Sequence, residues 1–350
     1  MDIISVYAPA HLDPYDSYGL IACELLRNLD ALGVYVNAVA LGEPRHTNQP
    51  TDIAALTNRP IRPSLGGVLL GYPTTWQHHG PLAHVGGRIA ITMFESSKIP
   101  PDWIEPLNQM DAVIVPSTFC RDSFVECGVT VPIYVVPLGV SEIYTPAPRS
   151  GDRPYTFLAF GDRGRRKNAL EAIHAFHLEF GDDPNYRLVI KSRDLDNRTN
   201  VLNENIDIIY QDMTVEELYQ LYLSTDCMLF PSRGEGFGLP PREFAATGAP
   251  VIATNWSGLA DDIEVWGIPL GYTLAPADWQ GAKNLQGLDL GVWADPDLDD
   301  LQRLMRHVAD NRELYAARAI ESAPQVKELY SWVCFAQAVY DIWKGVINGK

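Results

Sequence analysis

Residues 226–230, Asp226-Cys227-Met228-Leu229-Phe230, are followed by a glycine-rich stretch, a helix-forming segment at 241–247 closed by Gly248, and a second apolar run at 251–253. A short run that is apolar almost throughout suits a strand covered on both faces, the central strand of a parallel sheet. The stretch between, Ser232-Arg233-Gly234-Glu235-Gly236-Phe237-Gly238-Leu239-Pro240-Pro241-Arg242-Glu243, is then a strand-to-helix turn at the carboxyl edge of that sheet. Ligands of open parallel sheets bind at that edge, where a helix start offers unpaired N–H groups to an anion. Gly236 and Gly238 let backbone approach a ligand closely. Glu235 and Glu243 flank the turn with seven residues between them. A carboxylate accepts from two neighbouring hydroxyls at once, so such a pair beside a phosphate cradle suits a sugar nucleotide.

The rest of the chain repeats the strand–helix alternation. Strands are expected at 2–7, 34–39, 66–71, 88–93, 111–116 and 133–136, with helices at 18–32, 103–108 and 117–127. A segment rich in proline and polar residues, 144–154, reads as a linker. Beyond it, strands at 155–160, 186–190, 206–210, 226–230 and 251–253 alternate with helices at 169–180, 215–224 and 241–247, and the pattern is helical from 297 to 345. This predicts an α/β chain of two doubly wound, Rossmann-like domains.

Glu235-Gly236-Phe237-Gly238-Leu239-Pro240 with Glu243, followed by Ala249-Pro250-Val251-Ile252-Ala253-Thr254 and the turn Asn255-Trp256-Ser257-Gly258, resembles the E-x7-E signature of retaining glycosyltransferase family 4. The resemblance extends over most of residues 88–310 and, weakly, the first 40. It implies the GT-B fold: an acceptor domain at 1–145, a donor domain at 151–324, a cleft between them, and a final helix, roughly 325–347, crossing back to the first domain.

Composition restricts the partners. The 350 residues carry 27 basic and 44 acidic side chains, a net charge of −17, which repels polyanions and argues against a broad nucleic-acid or anionic-membrane surface. A phosphate ligand therefore needs a local basic site, and Gly161-Asp162-Arg163-Gly164-Arg165-Arg166-Lys167 supplies four cations in seven residues. No apolar run reaches the roughly 20 residues that span a bilayer, and the opening Met1-Asp2-Ile3-Ile4-Ser5-Val6-Tyr7 reads as a strand, so a cytoplasmic protein is expected. Five scattered cysteines without a C-x-x-C pair support neither a disulfide framework nor a zinc site.

The resemblance assigns roles. An Arg and a Lys of the basic turn, matched by Arg166 and Lys167, would bind the donor diphosphate; spacing leaves open which of Arg163, Arg165 and Arg166 points inward. Glu243 would bind the ribose, Glu235 would sit against the transferred sugar, and Gly236, Phe237, Gly238 and Leu239 would line the donor. Many family members place a His at the strand end where this chain has Glu95. A carboxylate there has three open roles: bonding the sugar, orienting the acceptor, or supporting an oxocarbenium-like centre. The first βα turn keeps only Gly19 of the family's glycine-rich loop, with His11, Asp13 and Tyr18 as acceptor candidates. No metal or cofactor is expected; His78-His79 lacks a third ligand, and Asp194-Leu195-Asp196 is a D-x-D pattern in the wrong fold context.

The expected activity is metal-independent, retaining transfer of a hexose-type sugar from a UDP- or GDP-linked donor, such as UDP-glucose or GDP-mannose. Glycan, lipid-linked and small-molecule acceptors all fit. A viral-type DNA-modifying glucosyltransferase and a non-catalytic sugar-nucleotide-binding protein are the alternatives. Neither donor nor oligomeric state is fixed by the sequence.

Overall fold

The computed structural model describes residues 1–349 other than 10, 11, 13–16, 42–48, 77–85, 162–164, 193–203, 280 and 281. The chain divides into two compact units, Met1–Phe94 with Lys98–Gly139 and Tyr330–Lys350, and Glu95–Ser97 with Val140–Leu329.

In the first unit the order is β1 (Ile3–Pro9), α1 (Ser17–Ala31), β2 (Tyr35–Leu41), α2 (Thr51–Thr57), β3 (Gly66–Leu70), α3 (Pro73–Trp76), β4 (Gly87–Ile91), α4 (Ile104–Asn108), β5 (Ala112–Val115), α5 (Thr118–Glu126) and β6 (Ile133–Val135). The six strands pair in parallel in the order β2-β1-β3-β4-β5-β6. Ile21, Ala22, Leu25, Leu26 and Leu29 make the buried stripe of α1 at helical spacing. Ser117 caps α5, its hydroxyl accepting from the Cys120 amide at 3.3 Å. The sequence pattern missed α2, whose seven residues bury only Ile53 and Leu56, too few to establish a period.

The second unit contains β7 (Tyr155–Gly161), α6 (Ala169–Phe180), β8 (Tyr186–Ser192), β9 (Ile206–Tyr210), α7 (Val215–Leu223), β10 (Cys227–Phe230), α8 (Leu239–Ala246), β11 (Val251–Thr254), α9 (Ile263–Trp266), β12 (Ile268–Leu270), β13 (Tyr272–Pro276), β14 (Val292–Pro296), α10 (Leu298–Asp310) and α11 (Arg312–Leu329). Its parallel sheet runs β12-β11-β10-β7-β8-β9. The chain thus builds outward from β7 through β8 to β9, then returns with β10 on the other side of β7. The β7/β10 boundary is the topological switch point of this sheet, where carboxyl-end turns diverge and leave room for a ligand. Phe157, Phe176, Phe180, Leu188, Leu229, Ile252 and Met305 pack in the core beneath it.

Further features depart from the sequence reading, including the short elements α3, α9 and β12. β13 and β14 form an antiparallel hairpin where no strands were expected. The proline-rich stretch at 144–154 is not a loose tether: Tyr144 is buried against Tyr219 and Tyr222, and Arg149 donates to the backbone of Thr225 and Thr247. The division between units accordingly falls at Gly139/Val140.

The last helix, α12 (Trp332–Asn348), starts later than residue 325 because the Ser331 hydroxyl caps it, accepting from the Cys334 amide at 3.4 Å, after α11 has run to Leu329 with Pro324 inside it. It belongs to the first unit. Its seat is made of glycines. A Cβ on Gly66 would lie 2.6 Å from Trp343 Nε1, one on Gly87 2.5 Å from Ile347 Cδ1, and one on Gly139 2.2 Å from the Trp332 amide nitrogen. The last contact is with backbone, which cannot rotate away. Gly139→Ala is therefore expected to destabilise the protein by about 1–3 kcal/mol, the usual size for forced overpacking. Urea unfolding checks this; an unchanged midpoint would show that α12 can shift without cost.

Candidate active site

Two turns meet at the switch point of the second unit. The first leaves β7, and its described part ends with Arg165, Arg166, Lys167 and Asn168, the last held left-handed at φ 61° and buried before α6. The second leaves β10 and enters α8 at Gly238, whose φ of +90° would strain any side-chain-bearing residue. They are stitched together by backbone: the Arg233 amide donates to the Arg166 carbonyl at 2.7 Å, and Arg166 Nη1 to the Gly234 carbonyl at 2.8 Å.

Glu235 lies at the centre. Its Oε1 is 2.9 Å from Arg166 Nη1 and accepts from Lys167 Nζ at 2.7 Å and the Ser232 hydroxyl at 2.7 Å. Burial alone would raise this carboxyl. The adjacent guanidinium and ammonium outweigh burial and hold it at about 2. Glu95, although it follows the first unit's strand β4 in sequence, groups with the second unit, and its Oε1 is 4.0 Å from Arg166 Nη2. Burial pushes the Glu95 carboxyl up, Arg166 pulls it down, and Glu235 adds to the upward push. The segment is pinned: the Ser97 amide donates to the Val292 carbonyl at 3.0 Å, the Val292 amide to the Ser97 hydroxyl at 2.9 Å, and Trp279 Nε1 to the Ser96 hydroxyl at 3.3 Å. The β13–β14 hairpin that the sequence reading lacked is thus what fixes Glu95.

Glu243 has a different environment. It sits midway along α8, 6% exposed, and accepts from the Tyr222 hydroxyl at 3.1 Å. Burial raises its carboxyl to about 7, with the tyrosine bond pulling the other way.

The structure therefore gathers four expected residues, Glu95, Arg166, Lys167 and Glu235, into one cluster. It also separates the arginines: Arg165 turns to Asp278 at 2.7 Å and is largely exposed, whereas Arg166 turns inward. Gly236 and Gly238 lie in the turn between Glu235 and α8 as expected. Phe237 and Leu239, expected to line the donor, have buried side chains, 3% and 7% exposed, so only their backbone is offered to a ligand. Tyr18 and Gly19 lie in the first unit, both inside α1 rather than in a phosphate loop; the Tyr18 hydroxyl accepts from the Met93 amide at 3.3 Å. His11, Asp13, Arg163, His78, His79, Asp194 and Asp196 lie outside the described residues. Sequence reasoning missed Ser232, Tyr222 and Arg242. Ser232 was inside the quoted turn, but Tyr222 comes from another helix and no spacing announces it.

Glu243 generates a pH prediction. Its folded-state value, about 7, exceeds the ordinary 4.5, so the folded protein holds a proton that the unfolded chain has released. Stability from this group is present below 4.5 and is lost as pH rises to 7. Glu243→Gln should abolish that fall, and Tyr222→Phe, by removing the donor to the ionised form, should move the titration higher still. Infrared titration of the carboxyl, with unfolding measured across the same window, checks both; a titration near 4.5 would remove the effect.

Residues 141–285 match the family described as Glycosyl transferases group 1. Over 131 residues the chain is 30% identical to the D-inositol 3-phosphate glycosyltransferase of Corynebacterium urealyticum; the match covers 37% of this chain and 26% of that relative, about a quarter of its length. Among solved structures, sucrose-phosphate synthase of Thermosynechococcus elongatus superposes with a TM-score of 0.73 at 14% identity, covering 100% of each chain. HepE of Anabaena, solved in complex with UDP-glucose, gives 0.67 at 12% identity, covering 99% of this chain and 100% of its own. Residues 141–285 thus resemble the glycosyl transferases group 1 family, in a chain whose two-unit α/β fold is that of the GT-B structures it superposes on.

Proposed function

We propose that this protein is a retaining glycosyltransferase that moves a hexose-type sugar from a nucleoside diphosphate to an acceptor hydroxyl without a metal ion. The observation that carries the reading is the convergence of Arg166, Lys167 and Ser232 on one oxygen of Glu235 at the switch point of the group 1 domain. A relative named for glycosyl transfer and a structural neighbour solved with UDP-glucose support a sugar-nucleotide donor. A glycan, a lipid-linked sugar or a small molecule remains the acceptor class.

The chemistry follows from charge. As the bond from the anomeric carbon to the diphosphate oxygen breaks, negative charge grows on the leaving phosphate. Fixed cations at that position stabilise the transition state more than the ground state. Arg166 and Lys167 supply them, which is the electrostatic work a metal does in other transferases. The acceptor oxygen bonds to the anomeric carbon on the same face, and its proton passes to the departing phosphate oxygen, so no protein base is required. Glu235 Oε1 accepts from Lys167 and Ser232 and is ion-paired with Arg166, leaving Oε2 to accept from a sugar hydroxyl. Glu243 takes the ribose diol.

Incubation with a panel of sugar nucleotides, with and without acceptors and with and without a chelator, tests the reading. Turnover should survive chelation, and absence of both transfer and donor hydrolysis across the panel would sink it. Lys167→Ala should lower kcat/KM by roughly 10²–10³, the scale of one lost charge-assisted contact to a leaving group. A loss below threefold would exclude Lys167 from the site.

The two glutamates should separate in kinetics. The ribose is unchanged through the reaction, so Glu243→Ala should act mainly on donor KM. Glu235 touches the moving sugar, so Glu235→Ala should depress kcat. Free diphosphate should bind that variant at least as well as wild type, because the two cations are released from their internal partner. Calorimetry with the free diphosphate decides: lost binding in Glu235→Ala, together with normal binding and turnover in Glu243→Ala, would reverse the assignments.

A further inference from the structure

Arg242, the residue before Glu243, has a fully buried side chain. Its Nη1 donates to the Phe237 carbonyl and, at 3.3 Å, to the Gly238 carbonyl. Its Nη2 donates to the Gly258 carbonyl at 2.8 Å and the Asp261 carbonyl at 3.1 Å. The guanidinium lies 4.1 Å from the centre of the Phe237 ring and 4.6 Å from that of Trp266, whose Nε1 also donates to the Asp261 carbonyl at 3.0 Å. Burying a charge among backbone carbonyls and rings carries a desolvation cost that an apolar side chain filling the same space would not. The arrangement has to be explained by what the guanidinium holds.

It holds the two peptide units that matter at the start of α8. Pro240 and Pro241 occupy the second and third positions of that helix and have no N–H. Of the four amides that a helix start ordinarily leaves without intrahelical partners, only Gly238 and Leu239 remain. Their peptide units are the ones whose carbonyls, on Phe237 and Gly238, Arg242 Nη1 grips. In a trans peptide the carbonyl and the N–H point in opposite directions, and no cis peptide occurs among the described residues. Drawing the carbonyls inward turns both amides outward. We infer that Arg242 is a positioning residue for the donor: it touches no substrate, but aims the Gly238 and Leu239 amides at the phosphates of the bound nucleoside diphosphate. Its second fork fastens the 257–261 turn, where the Gly258 amide donates to the Glu235 carbonyl at 3.0 Å and the Ser257 hydroxyl accepts from the Glu235 amide at 2.9 Å, so the same side chain also steadies Glu235. This inference rests on the donor reading above.

The test compares wild type with Arg242→Lys and Arg242→Met by calorimetry against UDP, GDP and ADP, and against the matching nucleosides, well below each unfolding midpoint. Lysine keeps the charge but lacks the planar fork that reaches carbonyls on both turns. Both variants should bind the preferred diphosphate roughly 10–100-fold more weakly, the effect of misaligning two preorganised donors, while the nucleoside, which has no phosphate for the amides to meet, changes by less than threefold. Diphosphate affinity within threefold of wild type in either folded variant would overturn the role, as would an equal loss for nucleoside and diphosphate. Should circular dichroism show that neither variant folds, Trp266→Leu, which removes one of the two rings clasping the guanidinium but leaves Arg242, is held to the same criterion. A wild type that binds none of the three diphosphates would refute the donor reading itself, whereas binding by wild type with unaltered variants refutes Arg242 alone.

Discussion

A carboxylate oxygen that accepts from an ammonium and a hydroxyl with a guanidinium nitrogen 2.9 Å away has almost no freedom left, and Glu235 Oε1 is such an oxygen. Burial would drive the proton back onto this group if the donors were not there, so the ionised state and the geometry depend on each other. Removing any one donor weakens the case for charge, and removing the charge releases both cations. The turns after β7 and β10 are tied through this contact. The turn after β10 also packs closely on two other segments where side chains are lacking: a Cβ on Gly234 would fall 2.0 Å from the Glu95 carbonyl oxygen, and one on Gly258 would fall 2.3 Å from that of Gly236.

Glu235 and Glu243 are equally buried yet electrically unlike. Glu235 has cations against it and is held at about 2, whereas Glu243 has one tyrosine hydroxyl and is pushed to about 7. Environment rather than residue type separates them, as in other sites where neighbouring acids take different roles. An acid that stays ionised suits an electrostatic task beside a developing positive centre. One that titrates near neutrality suits hydroxyl recognition, because it can accept from a diol when ionised and still bond when neutral.

Much of this was legible in the sequence because it rests on local pattern. Short apolar runs bounded by turns gave both parallel sheets, and the carboxylate–glycine–helix stretch at 235–243 pointed to the candidate site. What stayed hidden depends on pairing at a distance. β13 has exposed residues at Tyr272, Thr273 and Leu274, so no alternation reveals it, and only pairing with β14 makes it a strand. The inward arginine of the basic turn could not be chosen by spacing, because Asp278, which draws Arg165 outward, is 113 residues away. Tyr222 reaches Glu243 from another helix for the same reason. Arg242 was in plain view within the 235–243 stretch, but a charged residue on a short helix reads as solvent-facing, and only the two turns folded over it make it internal.

The overall charge and the local charge oppose each other. At −17 the chain repels anions at long range, while Arg166 and Lys167 place two cations together at Glu235. Long-range repulsion between exposed charges is screened over about 8 Å at physiological ionic strength, whereas buried pairs and hydrogen bonds are screened much less. On the proposed donor reading, capture would be decided within the turns, by aligned amides and two cations already arranged around Glu235, rather than by steering from the surface. A site of that kind gains little from more positive charge nearby and much from exact orientation, which is consistent with a buried arginine being spent on backbone carbonyls instead of on the phosphates.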